Sequence, residues 1–180
     1  MDRKQFISDA YLDQQRELHK NPNYGVASIG CAPIVLRLMR DTGARSLSDY
    51  GAGKCNLKLK LKEMGESGFA YFPYDPAFPE YGVPRPADLV CCIDVLEHIE
   101  PECLQAVLEE LQRIVVKFGF LSIHTGPALK VLNDGRNAHL IQRPASWWLA
   151  HLCRHFEILH LQRTPDGFWL VVSPQAGGAA

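Results

Sequence analysis

The stretch SLSDYGAGKC, Ser46 to Cys55, decides the fold. A short apolar strand ends at Asp49 and runs into Gly51 and Gly53, and a helical pattern starts at Leu57. Glycine lacks a Cβ, so the chain can turn sharply at the end of the strand and let a ligand approach its main chain. A cradle for a nucleoside-type ligand has this form. An ordinary glycine turn reads the same way, because the third glycine of a dinucleotide fingerprint is lacking: Cys55 stands two residues after Gly53.

Outward from this turn, strands and helices alternate. Residues 3–20 carry Phe6, Ile7, Tyr11 and Leu18 at helical spacing before the breaker NPNYG, and a second helix spans Ile29 to Asp41, stopped by Gly43. Strand Arg45–Asp49 leads through the turn to helix Leu57–Met64 and strand Gly68–Tyr74. Asp88–Ile93 is almost wholly apolar, as a parallel strand covered on both faces should be. An amphipathic helix is expected over Pro101–Lys117, followed by strand Gly119–His124, a loop from Leu129 to Arg143 and helix Ala145–His155. Strands Glu157–Gln162 and Gly167–Val172, joined by the turn TPDG, close the chain as an antiparallel hairpin. The fold class is therefore α/β, a mostly parallel twisted sheet with helices on both faces, whose ligands lie beyond the C-terminal strand ends. One domain over residues 1–175 is expected, with 1–25 as an N-terminal helix and lid and 176–180 as a disordered tail.

Bulk properties narrow the function. With 180 residues and a net charge of −1 the chain shows no broad basic field for nucleic acid. No apolar run is long enough to span a membrane and the N-terminus is too polar for a secretory signal, so a cytoplasmic protein is expected. The six cysteines form no CxxC pair and read as reduced core residues.

Asp75 follows the second strand, 26 residues after Asp49, where an acid can accept hydrogen bonds from both ribose hydroxyls of an adenosine or simply cap a turn before Pro76. DLVCCIDVLEHIEP, Asp88 to Pro101, then brings acids and a histidine to another strand end. The order DYGAGKC, YDPA, ADLVCCIDVLEHIEP and terminal hairpin resembles the class I S-adenosylmethionine-dependent methyltransferases over residues 45–172. Residues 11–25 with DGRNAHL also resemble small methyltransferase-like proteins of bacteria and phages. The resemblance implies a Rossmann-like sheet. S-adenosylmethionine would lie against Asp49, Gly51, Ala52, Gly53, Tyr74, Asp75, Pro76, Asp94 and Val95, with Tyr24 and His19 closing the pocket from the N-terminal segment. The 12 residues between Asp75 and Asp88 are too few for the family's next helix and edge strand, so that strand is expected to be missing. Phe78 and Tyr81 are candidate replacements for its contacts with adenine.

His139, in DGRNAHL, and His98 are candidate bases because imidazole titrates near neutrality, and Asp94 is placed to position the acceptor. Asp94, Glu97 and His98 stand at i, i+3 and i+4, so a helical turn would face them to one point. With His139 or His124 they would suit a divalent cation, similar to the site of metal-dependent O-methyltransferases; the same LEH also serves metal-free members of the family. The favoured assignment has no metal. The implied activity is methyl transfer to oxygen or nitrogen of a small-molecule or nucleotide-like acceptor. The rival readings are a non-catalytic cofactor-binding subunit and a nicotinamide-dependent oxidoreductase. In the 129–143 loop, Arg136 either contacts substrate or pairs with Asp134. Of Trp147 and Trp148, one is expected in the core and the other beside a groove.

Overall fold

The computed structural model describes residues 6–175, so residues 1–5 and the tail expected to be disordered, 176–180, lie outside the described residues. Helix α1, Asp9–His19, is capped by the Ser8 side chain, which accepts the Tyr11 N–H. Helix α2, Ala27–Thr42, ends on Gly43 in the left-handed region, whose N–H returns to the Met39 carbonyl. Strand β1 (Ser46–Tyr50), helix α3 (Asn56–Glu63), strand β2 (Ala70–Tyr74) and strand β3 (Ala87–Ile93) follow. Helix α4 (Leu104–Ile114), strand β4 (Val115–His124), helix α5 (Ala145–Leu152) and strands β5 (Phe156–Arg163) and β6 (Gly167–Pro174) complete the order.

The six strands form one sheet in the order β2-β1-β3-β4-β6-β5. β2, β1, β3 and β4 are parallel, and β6 runs antiparallel between β4 and β5. This is the expected Rossmann-like sheet with its terminal hairpin. β2 forms one edge, and the segment between β2 and β3 holds only a 3-10 turn at Pro79–Tyr81. The expected loss of an edge strand is thus observed.

Side chains of β3 alternate between two cores. Val90 and Cys92 pack with Leu108, Leu111, Trp148 and Leu152 of α4 and α5, whereas Leu89, Cys91 and Ile93 pack with Val35, Met39, Leu57 and Leu61 of α2 and α3. Burying one such aliphatic side chain contributes roughly 1.5–3 kcal/mol, so the doubly covered β3 anchors the sheet. A third cluster ties Ile7, Tyr11 and Leu12 to Leu132 and Ala138 of the long loop.

Three expectations change. Among the described residues the N-terminal helix starts at Asp9, where Ser8 caps it, and leaves Phe6 and Ile7 outside it. The helix expected over Pro101–Lys117 begins as a 3-10 turn and gives way at Val115, which is extended (φ −73°, ψ 107°) and pairs with Ala87. β-Branched Val115 and Val116 favour the strand. The cysteines are only partly core: Cys91, Cys92 and Cys103 are buried, but Cys153 is exposed. Among the described residues no helix is long and apolar enough to cross a membrane.

Candidate functional site

At the C-terminal ends of β1, β2 and β3 an open cavity is lined by the predicted motifs. One wall is backbone. The N–H groups of Gly51 and Ala52 both donate to the Tyr74 carbonyl, at 2.8 and 2.9 Å, which seats the glycine turn on the end of β2. Gly51 has φ +79°, and a Cβ there would fall 2.3 Å from Val95 Cγ2. Glycine is required at that point both by conformation and by space. Gly53, at φ +49°, faces the His19 ring, which a Cβ would meet at 3.0 Å. Cys55, two residues after Gly53, itself adopts the left-handed region (φ 58°), so the turn keeps its shape without a third glycine.

Asp75 is buried in this wall. Its carboxylate accepts the Gly53 N–H at 3.0 Å and the Ala77 N–H at 2.8 Å. Burial raises its pKa, and those two N–H groups hold it down. The Asp49 carboxyl accepts the Tyr71 hydroxyl, and complete burial pushes its pKa up to about 7. Tyr74 and Pro76 flank the turn, with Pro76 on the cavity surface. Phe78 and Tyr81 do not offer faces to the cavity: they stack on each other at 5.3 Å, and Phe78 also meets His19 edge-on. The Tyr81 hydroxyl donates to the Gly53 carbonyl.

The opposite wall comes from the N-terminal segment. Tyr11, Gln15 and His19 lie at i, i+4 and i+8 on one face of α1, and all three line the cavity with Tyr24. Tyr24 donates to Gln15 Oε1 at 3.1 Å, and its pKa is raised by burial and then by Asp94. His19 lies between Tyr24 and Phe78, and burial, helped by Lys54, pulls its pKa down to about 4. Tyr24 and His19 were expected here; Tyr11 and Gln15 were missed, although the four-residue spacing on α1 was their signal. Two fasteners hold the segment: Lys54 Nζ donates to the carbonyls of Asn21 and Tyr24 at 2.8 and 2.6 Å, and Ser8 donates twice to Glu100 at 2.7 Å. No local pattern marks Lys54 or Glu100, because their partners are 30 or more residues away.

The third side holds the candidate bases. Asp94 is left-handed at φ 57°, and its N–H donates to Ser122. Leu96–His98 form a 3-10 turn rather than the expected helical turn. Asp94, Glu97 and His98 therefore do not converge. Glu97 turns inward, accepts the His124 N–H and is completely buried; burial and the neighbouring Asp94 push its pKa well up. His139 takes its place instead. The ligating atoms of Asp94, His98 and His139 lie within 4.8 Å of one another. His98 Nδ1–H donates to the Ala138 carbonyl at 2.8 Å and His139 Nδ1–H to the Gly126 carbonyl at 2.7 Å. His139 is buried against His98, the two ring centroids 4.7 Å apart. His124 is bonded to Gly126 and stays outside the group. Burial pulls the His98 pKa down to about 4.

The bland alternatives hold elsewhere. Arg136 pairs with Asp134 at 2.7 Å on the loop. Trp148 is core, whereas Trp147 lines a separate groove with Arg143 and His151.

No protein-family model matches the chain, and no curated sequence matches it significantly. Solved structures do match. A 1,6-didemethyltoxoflavin-N1-methyltransferase of Burkholderia thailandensis, with bound 1,6-didemethyltoxoflavin and S-adenosylhomocysteine, superposes with TM-score 0.67 at 15% identity, covering 94% of this chain and 91% of its own. Magnesium protoporphyrin IX methyltransferase of Synechocystis PCC 6803, with bound S-adenosylmethionine, gives 0.59 at 16%, covering 97% and 94%. An O-methyltransferase family protein of B. thailandensis gives 0.58 at 12%, covering 94% of this chain and 60% of its own. The chain has the class I methyltransferase fold.

Proposed function

We propose that the chain is an S-adenosylmethionine-dependent methyltransferase, folded as one domain over residues 1–175, that acts on oxygen or nitrogen of a small acceptor. The observation that carries this is the strand-end wall: a glycine turn that excludes a Cβ at Gly51, set beside the buried Asp75 carboxylate on the same cavity. The fold neighbours crystallised with S-adenosylhomocysteine or S-adenosylmethionine support the choice of ligand.

Asp75 would accept the ribose hydroxyls, while Gly51, Ala52 and Gly53 give close main-chain approach at the methionine portion. Asp49, Tyr74 and Pro76 shape that wall; Val95 with Asp94 borders the reacting end and Tyr24 covers it. When bound, S-adenosylmethionine supplies a methyl group already activated by its sulfonium, so the protein's part is alignment and proton removal. His98, held neutral by burial, presents a bare Nε2 to the cavity, since its Nδ1 proton is committed to Ala138. His139 is oriented the same way by Gly126. Asp94 positions the acceptor.

Calorimetry with S-adenosylhomocysteine tests the reading. Binding is expected in the wild type, with stabilisation of about 2.7 kcal/mol at a hundredfold excess over Kd. Asp75→Asn, which keeps the side-chain shape, should lose at least tenfold in affinity. A thermal shift with NADH and none with S-adenosylhomocysteine would sink the proposal.

A further inference from the structure

Asp94, His98 and His139 present three hydrogen-bond acceptors to one point and no donor. Each imidazole spends its Nδ1 proton on a carbonyl, at 2.8 and 2.7 Å, which leaves Nε2 as the ring atom that can meet a ligand. Such a point calls for a cation or for a group with several protons. The rest of the cavity has the same preference. Its lining includes Asp49, Asp75, Asp94 and Glu100, and among the described residues no lysine or arginine reaches it. Lys54, beside it, is tied to backbone carbonyls. An acceptor carrying phosphate or carboxylate at its reacting end would meet the Asp94 carboxylate without a counter-charge.

An ammonium nitrogen with three bonds of about 2.8 Å at tetrahedral angles spans about 4.6 Å between its acceptors. The three ligand atoms here lie within 4.8 Å of one another, a bound that admits it. A hydroxyl would supply one proton and leave two of the three acceptors unmet.

We propose that the methyl acceptor is a primary amine, recognised as its ammonium ion by Asp94, His98 and His139. This rests on the methyltransferase reading and narrows it from oxygen or nitrogen to nitrogen. One N–H proton of the ammonium passes to Nε2 of His139, giving an imidazolium and a neutral amine whose lone pair is free to accept the methyl group. Asp94 balances the imidazolium.

The test uses the full chain with labelled histidines, saturated with S-adenosylhomocysteine, whose binding is read on the same sample. Ethylammonium and ethanol, matched in size, are titrated separately and the histidine ring signals followed by NMR. Ethylammonium should shift His98 and His139 and ethanol should not. Asp94→Asn, a residue that also tolerates the left-handed backbone, should weaken ethylammonium binding at least tenfold. Equal response to both probes, or to neither, overturns the proposal. So does selective broadening of these signals by micromolar Mn²⁺, which would make the group a metal site. Failure of S-adenosylhomocysteine to bind instead overturns the underlying methyltransferase reading.

Discussion

The two walls of the cavity are built by different means. The strand-end wall is backbone: Gly51 and Ala52 bond to Tyr74, Gly53 bonds to Asp75, and all of it grows from the buried strands β1 and β3 and the end of the edge strand β2. The N-terminal wall is a helix carrying Tyr11, Gln15 and His19, held by Lys54, by Ser8 on Glu100 and by a small cluster with Leu132 and Ala138. A wall made of sheet and main-chain bonds opens only when the fold does. One held by a few side chains can yield separately, which suits a face through which ligands pass.

The sharpest way to break this comparison is Gly51→Ala. The added Cβ, 2.3 Å from Val95 Cγ2, meets a stiff β-branched side chain at a backbone angle that costs about 1–3 kcal/mol for residues other than glycine. Stability should fall by at least about 2 kcal/mol, and S-adenosylhomocysteine affinity at least a hundredfold. Adding Val95→Ala should restore part of the stability by removing the overlap, leaving the conformational cost. Chemical denaturation of the three proteins checks this; unchanged stability in the single variant would mean the turn is not rigid.

Asp49→Asn probes the same wall through pH. Burial raises the folded pKa from 3.8 to about 7, so the folded state holds a proton that the unfolded chain releases. The stabilisation is therefore full below pH 4 and is lost as pH rises through 7. Between pH 5 and 8 the wild type should lose roughly 2–4 kcal/mol more than the variant, which cannot ionise but still accepts the Tyr71 hydroxyl. Urea denaturation at both pH values gives the comparison directly. Parallel profiles would place Asp49 in contact with water.

The two walls also differed in how far the sequence revealed them. The succession of strands and helices and the placement of Gly51, Gly53 and Asp75 at strand ends followed from periodicity and turn chemistry, because these are local properties written in adjacent residues, whereas the missing edge strand came from setting the short 75–88 segment against the family pattern. The third side was read half correctly. His98, His139 and Asp94 meet, but Glu97 was assigned to the wrong side, since a spacing of i, i+3 and i+4 converges only on an α-helix and this turn is 3-10 with Asp94 left-handed. Phe78 and Tyr81 were placed near the ligand by position, yet their best partner was each other. Contacts such as Ser8 with Glu100 span 92 residues and depend on the completed fold, so no local pattern announces them.

Lys54→Met gives the smallest effect and the clearest view of the N-terminal wall. Lys54 follows Gly53 directly, so it couples the cradle to the 21–24 turn through bonds of 2.8 and 2.6 Å to carbonyls of Asn21 and Tyr24. Methionine keeps the apolar stem and removes the three N–H donors. Charge-assisted bonds contribute about 1.5–3 kcal/mol when buried, but this ammonium is mostly solvated and its surroundings discount that figure. Global stability should therefore fall by less than about 1 kcal/mol. Hydrogen exchange over residues 9–25 should nevertheless quicken several-fold, while β1 and β3 stay protected. S-adenosylhomocysteine should bind about threefold to tenfold more weakly, because part of its free energy then goes to ordering the wall. Equal acceleration in the strands and in α1 would show that the walls open together and that the difference between them is one of construction only.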